Sequence, residues 1–114
     1  MTVSGIEYVY METHDLREAV AFWEQMGFVI GLDLDDAARL DPPGGGTGVL
    51  IEQVPADQRL DFRVYLRAAS GATMPGPSTS VVAGFAASHW GTQLGRVRDP
   101  DGREYVVQRR DEDD

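Results

Sequence analysis

The chain has 114 residues, 42% of them hydrophobic, with 19 acidic and 10 basic residues and a formal net charge of −9, which suits one domain with one modest core. The acidic balance argues against nucleic acid as a partner, because phosphate binding needs clustered cations, and the lack of cysteine excludes disulfides, thiolate metal sites and cysteine nucleophiles. No apolar run of about 20 residues and no signal-peptide pattern is present, so the sequence predicts a cytoplasmic protein without a membrane partner.

The first predicted element is a strand near the N-terminus. Alternation along it places Tyr8, Tyr10 and Glu12 on one face, and Val9 and Met11 on the other. The second face is purely apolar, so we expect the following helix to pack against it. The face with Tyr8, Tyr10 and Glu12 would then not be covered by the helix.

That helix follows the strand at once. Asp15 is placed to cap its N-terminus, and Gly27 is placed to end it. The helical period predicts an apolar stripe of Leu16, Ala19, Val20, Trp23 and Met26. We expect this stripe to face the sheet.

Three more strands complete the first half of the chain. They are predicted over residues 29–34, 38–40 and 49–54, with a Pro- and Gly-rich hairpin loop at residues 41–46. This loop contains no Gly-Lys-Ser/Thr and opens no helix, so it does not match a phosphate-binding loop. The order of elements is a βαβββ module.

The second half begins similarly and then changes. Residues 61–67 alternate as a strand, but residues 70–80 are rich in Gly, Pro and Ser where a second helix would be expected. Residues 81–85 suit either a short strand or one helical turn. We therefore predict that the second helix is short or missing, which would leave an apolar sheet face open and favour a homodimer.

A tight β-hairpin is predicted near the C-terminus. Asp99-Pro100-Asp101-Gly102 is a turn sequence, because proline presets φ, aspartate bonds to nearby backbone amides and glycine accepts a positive φ. The flanking residues 93–98 and 104–108 are typical of strands. On its own this motif indicates only a turn.

Together the two ends of the chain resemble the vicinal oxygen chelate superfamily, which contains glyoxalase I, extradiol dioxygenases and bleomycin-resistance proteins. Residues 22–28 fill its Phe-Tyr-x-x-Leu-Gly-Phe pattern with Trp for Tyr and Met for Leu, and residues 97–102 match its hydrophobic-x-Asp-Pro-Asp-Gly hairpin. The resemblance covers residues 5–54 and 88–110. It implies an α+β fold of paired βαβββ modules that form a cupped, incompletely closed mixed sheet.

The same resemblance sets the expected domain boundaries. Residues 1–110 would form a single domain, with module one over about 5–57 and module two over about 58–110. Residues 111–114 are all acidic and are predicted to be a frayed tail.

The family's metal ligands can be carried over position by position. The first ligand lies seven residues before the aspartate that opens the helix, which here is Tyr8, and the fourth lies seven after the first aspartate of the hairpin, which is Val106. Glu52 suits an acidic ligand position, and the remaining one falls near Asp61 or Arg63. At most two oxygen ligands of four remain, so the resemblance implies that the metal has been lost and no cofactor is expected.

Two histidines are alternative candidates for ligands, because histidine is a common ligand of transition metals. His14 lies between the first strand and the helix, where a solvated role is favoured. His89 precedes Trp90-Gly91, a place where family members carry an aromatic-Gly pair on a strand of the cup. A rearranged divalent-metal site would use Glu52, His89 or Glu104.

The face opposite the helices is the predicted ligand-binding surface. Leu50 and Val106 are interpreted as filling its centre, and Trp90 as a flat wall at its mouth. Glu52 would pair with a positive group of the ligand, and Arg63 or Arg96 with a negative one. The predicted binding residues are Tyr8, Tyr10, Glu52, Arg63, Tyr65, Trp90, Arg96 and Gln108.

These residues favour binding over catalysis. All ten basic residues are arginine, so the chain has neither a lysine nor a cysteine to act as a nucleophile. Aromatic walls with a few charged groups suit a planar or cationic organic ligand. Together with the missing ligand positions, the resemblance implies a metal-independent, homodimeric protein of the bleomycin-resistance type that sequesters an aromatic or cationic compound such as an antibiotic.

Two alternatives remain open at this point. One is a divalent-metal-dependent lyase, isomerase or dioxygenase of the same superfamily with a rearranged site, and acid–base work by Glu52 or Glu104 is conceivable in it. The other is a subunit or regulator that uses its second module as a contact surface. A shared fold does not decide among these functions.

Overall fold

The computed structural model describes residues 3–74, 80–89 and 91–110. These residues form eight strands and one short helix, with both parallel and antiparallel strand pairs, which is the predicted α+β class. The elements in chain order are β1 (Val3–Thr13), α1 (Leu16–Gln25), β2 (Val29–Asp33), β3 (Ala37–Asp41), β4 (Gly48–Gln53), β5 (Phe62–Ala68), β6 (Ser80–Ala87), β7 (Gln93–Arg98) and β8 (Glu104–Arg109). None of the described helical residues forms a segment long and apolar enough to cross a membrane.

The chain divides into two compact units. The first, which we call the helical unit, comprises residues 8–63 and has the strand order β2-β3-β4-β1. Its β2–β3 and β3–β4 pairs are antiparallel, whereas β1 and β4 run parallel. A parallel pair needs a long crossover, and here α1, β2 and β3 supply it.

The core of the helical unit lies between α1 and its sheet. Buried Ala38, Leu40, Val49 and Ile51 form its centre, and partly buried side chains from β1, from α1 and from the residue before β2 pack against them. These partners are Val9, Met11, Leu16, Ala19, Val20, Trp23 and Phe28. The predicted pairing of the apolar face of β1 with the helix is confirmed.

Both ends of α1 are where the sequence placed them. The Asp15 carboxylate accepts a hydrogen bond from the Glu18 amide at 3.1 Å, which is a standard N-cap. The helix ends at Gln25, and Gly27 follows with φ +100°. The prediction was wrong for Met26, which is 64% exposed although its amide still bonds to the Phe22 carbonyl oxygen, because Phe28 packs on the core beside Trp23 instead.

The other unit comprises the first seven residues and those from 64 onward. Its strand order is β5-β8-β7-β6, with β5 and β8 parallel and the other pairs antiparallel. Its described stretches, residues 64–74, 80–89 and 91–110, contain no helix. Residues 81–85, for which the sequence allowed either a short strand or a helical turn, are part of β6. The predicted loss of the second helix is confirmed within these stretches; residues 75–79 of the predicted loop lie outside them.

The C-terminal hairpin joins β7 to β8 as predicted. The Asp99 carboxylate accepts hydrogen bonds from the amides of Asp101 and Arg103, both at 2.9 Å, and from the Tyr105 hydroxyl at 2.8 Å. Gly102 takes the positive φ, +87°. Partial burial works to raise the pKa of Asp99, but the bonds from Tyr105 and the two amides outweigh it and hold that pKa below its usual value.

Candidate functional site

A tyrosine and two glutamates converge on the mixed face of the helical unit. The parallel register of β1 and β4 sets Tyr10 beside Leu50 and Glu12 beside Glu52. Residues in register share a face of the sheet, so both carboxylates lie on the side of Tyr10. We call Tyr10, Glu12 and Glu52 the tyrosine–glutamate cluster.

The hydroxyl of Tyr10 lies between the two carboxylates. Its oxygen is 2.7 Å from Glu52 Oε1 and 2.8 Å from Glu12 Oε2. A phenol has one hydrogen, so it donates to one carboxylate at a time. Two acidic groups therefore approach one oxygen atom, and such an arrangement attracts a cationic donor.

Glu12 also holds the segment that leads into β5. Its second oxygen, Oε1, accepts hydrogen bonds from the Asp61 amide at 2.9 Å and from Gln58 Nε2 at 3.4 Å. The Asp61 carboxylate in turn accepts a bond from Arg63 Nε at 2.9 Å. Partial burial works to raise the pKa of Asp61. The hydrogen bonds from the Arg63 guanidinium and the Phe62 amide have a larger opposite effect, so the pKa lies below its usual value.

Tyr10 is buried, and this determines its protonation. Burial is the largest cause that raises its pKa, followed by the hydrogen bonds to Glu52 and Glu12. The phenol therefore stays neutral above about pH 10, where an ordinary tyrosine ionises. It is a hydrogen-bond donor here and not a base.

An alkaline titration tests this assignment. A pKa raised in the folded state stabilises the fold below the unfolded pKa of about 10 and loses that contribution as the pH rises further. We expect the ultraviolet absorbance change of folded Tyr10→Phe to equal that of the wild type, because Tyr10 does not ionise before unfolding. Stability of the variant should also fall less steeply above about pH 10. A smaller absorbance change in the variant would contradict the assignment.

The other predicted binding residues are distributed over both units. Tyr8 is buried in the helical unit on the same face as Tyr10, and Arg63 is paired with Asp61 as described. In the other unit Tyr65 and Gln108 are buried. The structure gives these positions, and their contact with a ligand stays a prediction.

The polar residues of the second unit have protein partners. Thr92 Oγ1 donates to Gln108 Oε1 at 3.2 Å, and the Arg96 guanidinium lies 3.6 Å from the Glu104 carboxylate. Glu104 also accepts a bond from Arg98 at 3.0 Å. Trp90, the predicted wall, lies outside the described residues.

The histidines are placed by the structure as follows. His14 is exposed and its Nε2 lies 2.8 Å from the Gln58 carbonyl oxygen. His89 is exposed in the turn after β6, and its contact with a ligand or a metal stays a prediction. The turn begins at Ser88, whose amide bonds to the Thr92 carbonyl oxygen.

The residues present do not fit the divalent metal of the superfamily that the two terminal motifs resemble. Nowhere in the described part of the chain do three or more His, Asp or Glu side chains gather as a metal would require. The position of the fourth family ligand is Val106, a buried side chain without a donor atom. The position of the first is Tyr8, a phenol, which is not a usual ligand. No metal-dependent step is therefore derived for this chain.

Glu12 is the site residue that the sequence did not single out. Its alternation with Tyr8 and Tyr10 along β1 was the available signal, since it placed the carboxylate on the same face. Alternation within β1 does not predict that Glu52 lies beside Glu12 on the neighbouring strand, because that pairing depends on the β1–β4 register.

Comparison with known proteins places the fold. No protein-family model and no curated protein matches this sequence. Among solved structures, a glyoxalase/bleomycin resistance protein/dioxygenase superfamily member from Vibrio splendidus 12B01 aligns over 90% of this chain and 96% of its own, with a TM-score of 0.59 and 14% identity. The 2,2',3-trihydroxybiphenyl 1,2-dioxygenase of Sphingomonas wittichii strain RW1 aligns over 96% of this chain, with a TM-score of 0.56 and 18% identity.

These likenesses define the architecture. The present chain spans 41% of the length of the dioxygenase chain. At such low identity the likeness concerns the fold alone. The protein has the fold of the glyoxalase/bleomycin resistance protein/dioxygenase structures, which is the vicinal oxygen chelate fold that its two terminal motifs predicted.

Proposed function

We propose that this protein is a metal-independent, cytoplasmic binding protein of the glyoxalase/bleomycin-resistance type, which sequesters an aromatic or cationic compound such as an antibiotic. The observation that carries the proposal is the convergence of Glu12 and Glu52 on the hydroxyl of Tyr10. Capture is stoichiometric and makes no bond. The name of the Vibrio splendidus structure covers bleomycin-resistance proteins as well as dioxygenases, so the fold is compatible with binders and enzymes.

The tyrosine–glutamate cluster supplies the recognition of charge. An ammonium or amidinium group that reaches both carboxylates makes charge-assisted hydrogen bonds, which are stronger than neutral ones. Tyr8 and Tyr10 lie on the same face and are both buried, so their rings are already held in place before binding. Rings of this kind contribute stacking and cation–π attraction to an aromatic cation.

The chain's chemistry favours binding over reaction. It has no cysteine, and its basic residues are all arginine, so neither a thiolate nor an amine nucleophile is present. Tyr10 is neutral and acts as a donor, as its raised pKa indicates. The residues at the family's ligand positions do not suit a metal. The metal-dependent alternative therefore has no observation in its favour.

The proposed protein is a homodimer. In the unit whose described residues contain no helix, Val3, Ile6 and Val81 are 38%, 46% and 41% exposed. Apolar side chains that lie uncovered in this way support association with a second copy.

Calorimetric titration with phenethylammonium and benzamidine tests the proposed function. We expect a dissociation constant well below about 1 mM for at least one of them. Glu52→Gln removes one of the two carboxylates and should weaken that binding about tenfold or more. The neutral analogue phenethyl alcohol should bind far more weakly than either cation.

The matched control is Glu18→Gln, which removes the same charge from an exposed position on α1. Its affinity should equal that of the wild type, so that a loss in Glu52→Gln reports the cluster and not the net charge. Dissociation constants of about 1 mM or worse for every aromatic cation, or one tightly bound divalent metal per chain, would refute the proposal.

A further inference from the structure

A second concave surface lies on the opposite side of the helical unit. It is an open cleft of about 560 Å³ between α1 and β2. Both walls belong to residues 8–63. Its lining residues are Leu16, Arg17, Val20, Ala21, Glu24, Ile30, Asp33, Leu34, Asp35 and Gln53.

The cleft exists because α1 covers only part of its sheet. Leu16 and Val20 pack on buried side chains of β3 and β4, so the helix is centred over those strands. The five residues of β2, at the outer end of the strand order, are all exposed. The gap between the helix and the outer strand is therefore left open, and Leu16, Val20 and Ile30 are among its apolar lining residues.

Carboxylate groups also line the cleft. Glu24 is on α1, Asp33 is at the end of β2 and Asp35 follows it, while Arg17 is the cation among the lining residues. Within residues 3–74, 80–89 and 91–110, none of these four side chains makes a hydrogen bond or an ion pair. The cleft lining thus combines apolar side chains with three carboxylates and one guanidinium, and its net charge is negative.

We propose that this cleft is a second ligand site, which takes a small aliphatic ammonium compound. Its volume is within the range of about 300–1,000 Å³ typical of small-molecule pockets. An alkyl chain of the ligand lies along Leu16, Val20 and Ile30, and its ammonium group meets the carboxylates of Asp33 and Asp35. Charge complementarity selects the cation, because acidic groups outnumber the one arginine.

This site is separate from the tyrosine–glutamate cluster. Successive residues of a strand point to opposite faces. Glu52 faces the cluster, whereas Gln53 lines the cleft, where its Oε1 accepts the Leu16 amide at 2.8 Å. The two sites therefore differ in face, in ligand chemistry and in the variants that affect them.

Titration of the protein with octylammonium, followed by amide NMR and by calorimetry, tests the proposal. We expect shifts of the amides of α1 and β2 with an affinity that falls as salt is added, because the charges are exposed. The Asp33→Asn/Asp35→Asn double variant should weaken binding about tenfold or more. Octanoate, which has the same chain with a negative charge, should not bind there.

Two variants keep the outcome clear. Ala21 is exposed at the cleft, so Ala21→Phe fills the space without entering the core and should abolish the shifts. Glu52→Gln should leave octylammonium binding unchanged, even where it removes the binding of benzamidine. Equal binding to wild type and to the double variant, shifts centred on Tyr10, or a cleft found covered by a second copy of the chain would each overturn the proposal.

Discussion

Replacement of Ile51 by alanine is expected to lower the free energy of unfolding by about 3 kcal/mol. Ile51 is fully buried at the centre of the core beneath α1. Truncation removes its apolar contacts and leaves a cavity that neighbouring Ala38 and Leu40 cannot fill without moving. The effect is the largest we expect from a single change in this chain.

Urea denaturation of Ile51→Ala measures this loss, with tryptophan fluorescence as the signal, because Trp23 packs on the same core. The control is Val29→Ala on β2, where the side chain is 52% exposed and the change should be less than about 0.5 kcal/mol. A cost of less than about 1 kcal/mol for Ile51→Ala would mean that α1 does not pack on this sheet as described.

The second large effect is expected at Glu12. Its carboxylate accepts hydrogen bonds from the Tyr10 hydroxyl, the Asp61 amide and the Gln58 side chain. Glu12→Ala leaves the Asp61 amide without this acceptor, whereas the Tyr10 hydroxyl still has Glu52 as a partner. The variant should therefore cost about 2 kcal/mol of stability, as expected for one hydrogen bond to a charged group.

The same denaturation experiment distinguishes the role of each bond. Gln58→Ala removes only the longest one, at 3.4 Å, and should cost less than about 0.5 kcal/mol. Glu12→Gln keeps an oxygen that accepts the Asp61 amide, so its loss should lie between those of the other two variants. Equal stability of Glu12→Ala and wild type would show that Glu12 does not hold residues 58–61 in place.

The local elements of this fold were predictable because their signals are contained in short stretches. Asp15 and Gly27 bound the helix by the chemistry of caps, and the Asp99–Gly102 turn follows from proline, aspartate and glycine at adjacent positions. The exposure of Met26 shows where such reasoning fails. A helical period does not show which residue beyond the helix packs on the core, which here is Phe28.

The candidate site was only partly predictable, since it depends on residues distant in sequence. Alternation placed Tyr8 and Tyr10 on one face and suggested Glu52 for another strand. The pairing of Glu12 with Glu52 follows from a parallel register across 40 residues, and no local pattern encodes such a register. The cleft between α1 and β2 was missed for the same reason, because it arises from the position at which the helix packs.

The exposed outer strand β2 also affects the tendency of this protein to aggregate. A strand at the end of a sheet offers unpaired backbone groups, and the apolar Val29, Ile30 and Leu32 make this one attractive to another chain. Asp33 within the strand and the net charge of −9 provide the repulsion that opposes such growth. Acidification or high salt weakens that repulsion, so both conditions should favour edge-to-edge aggregation.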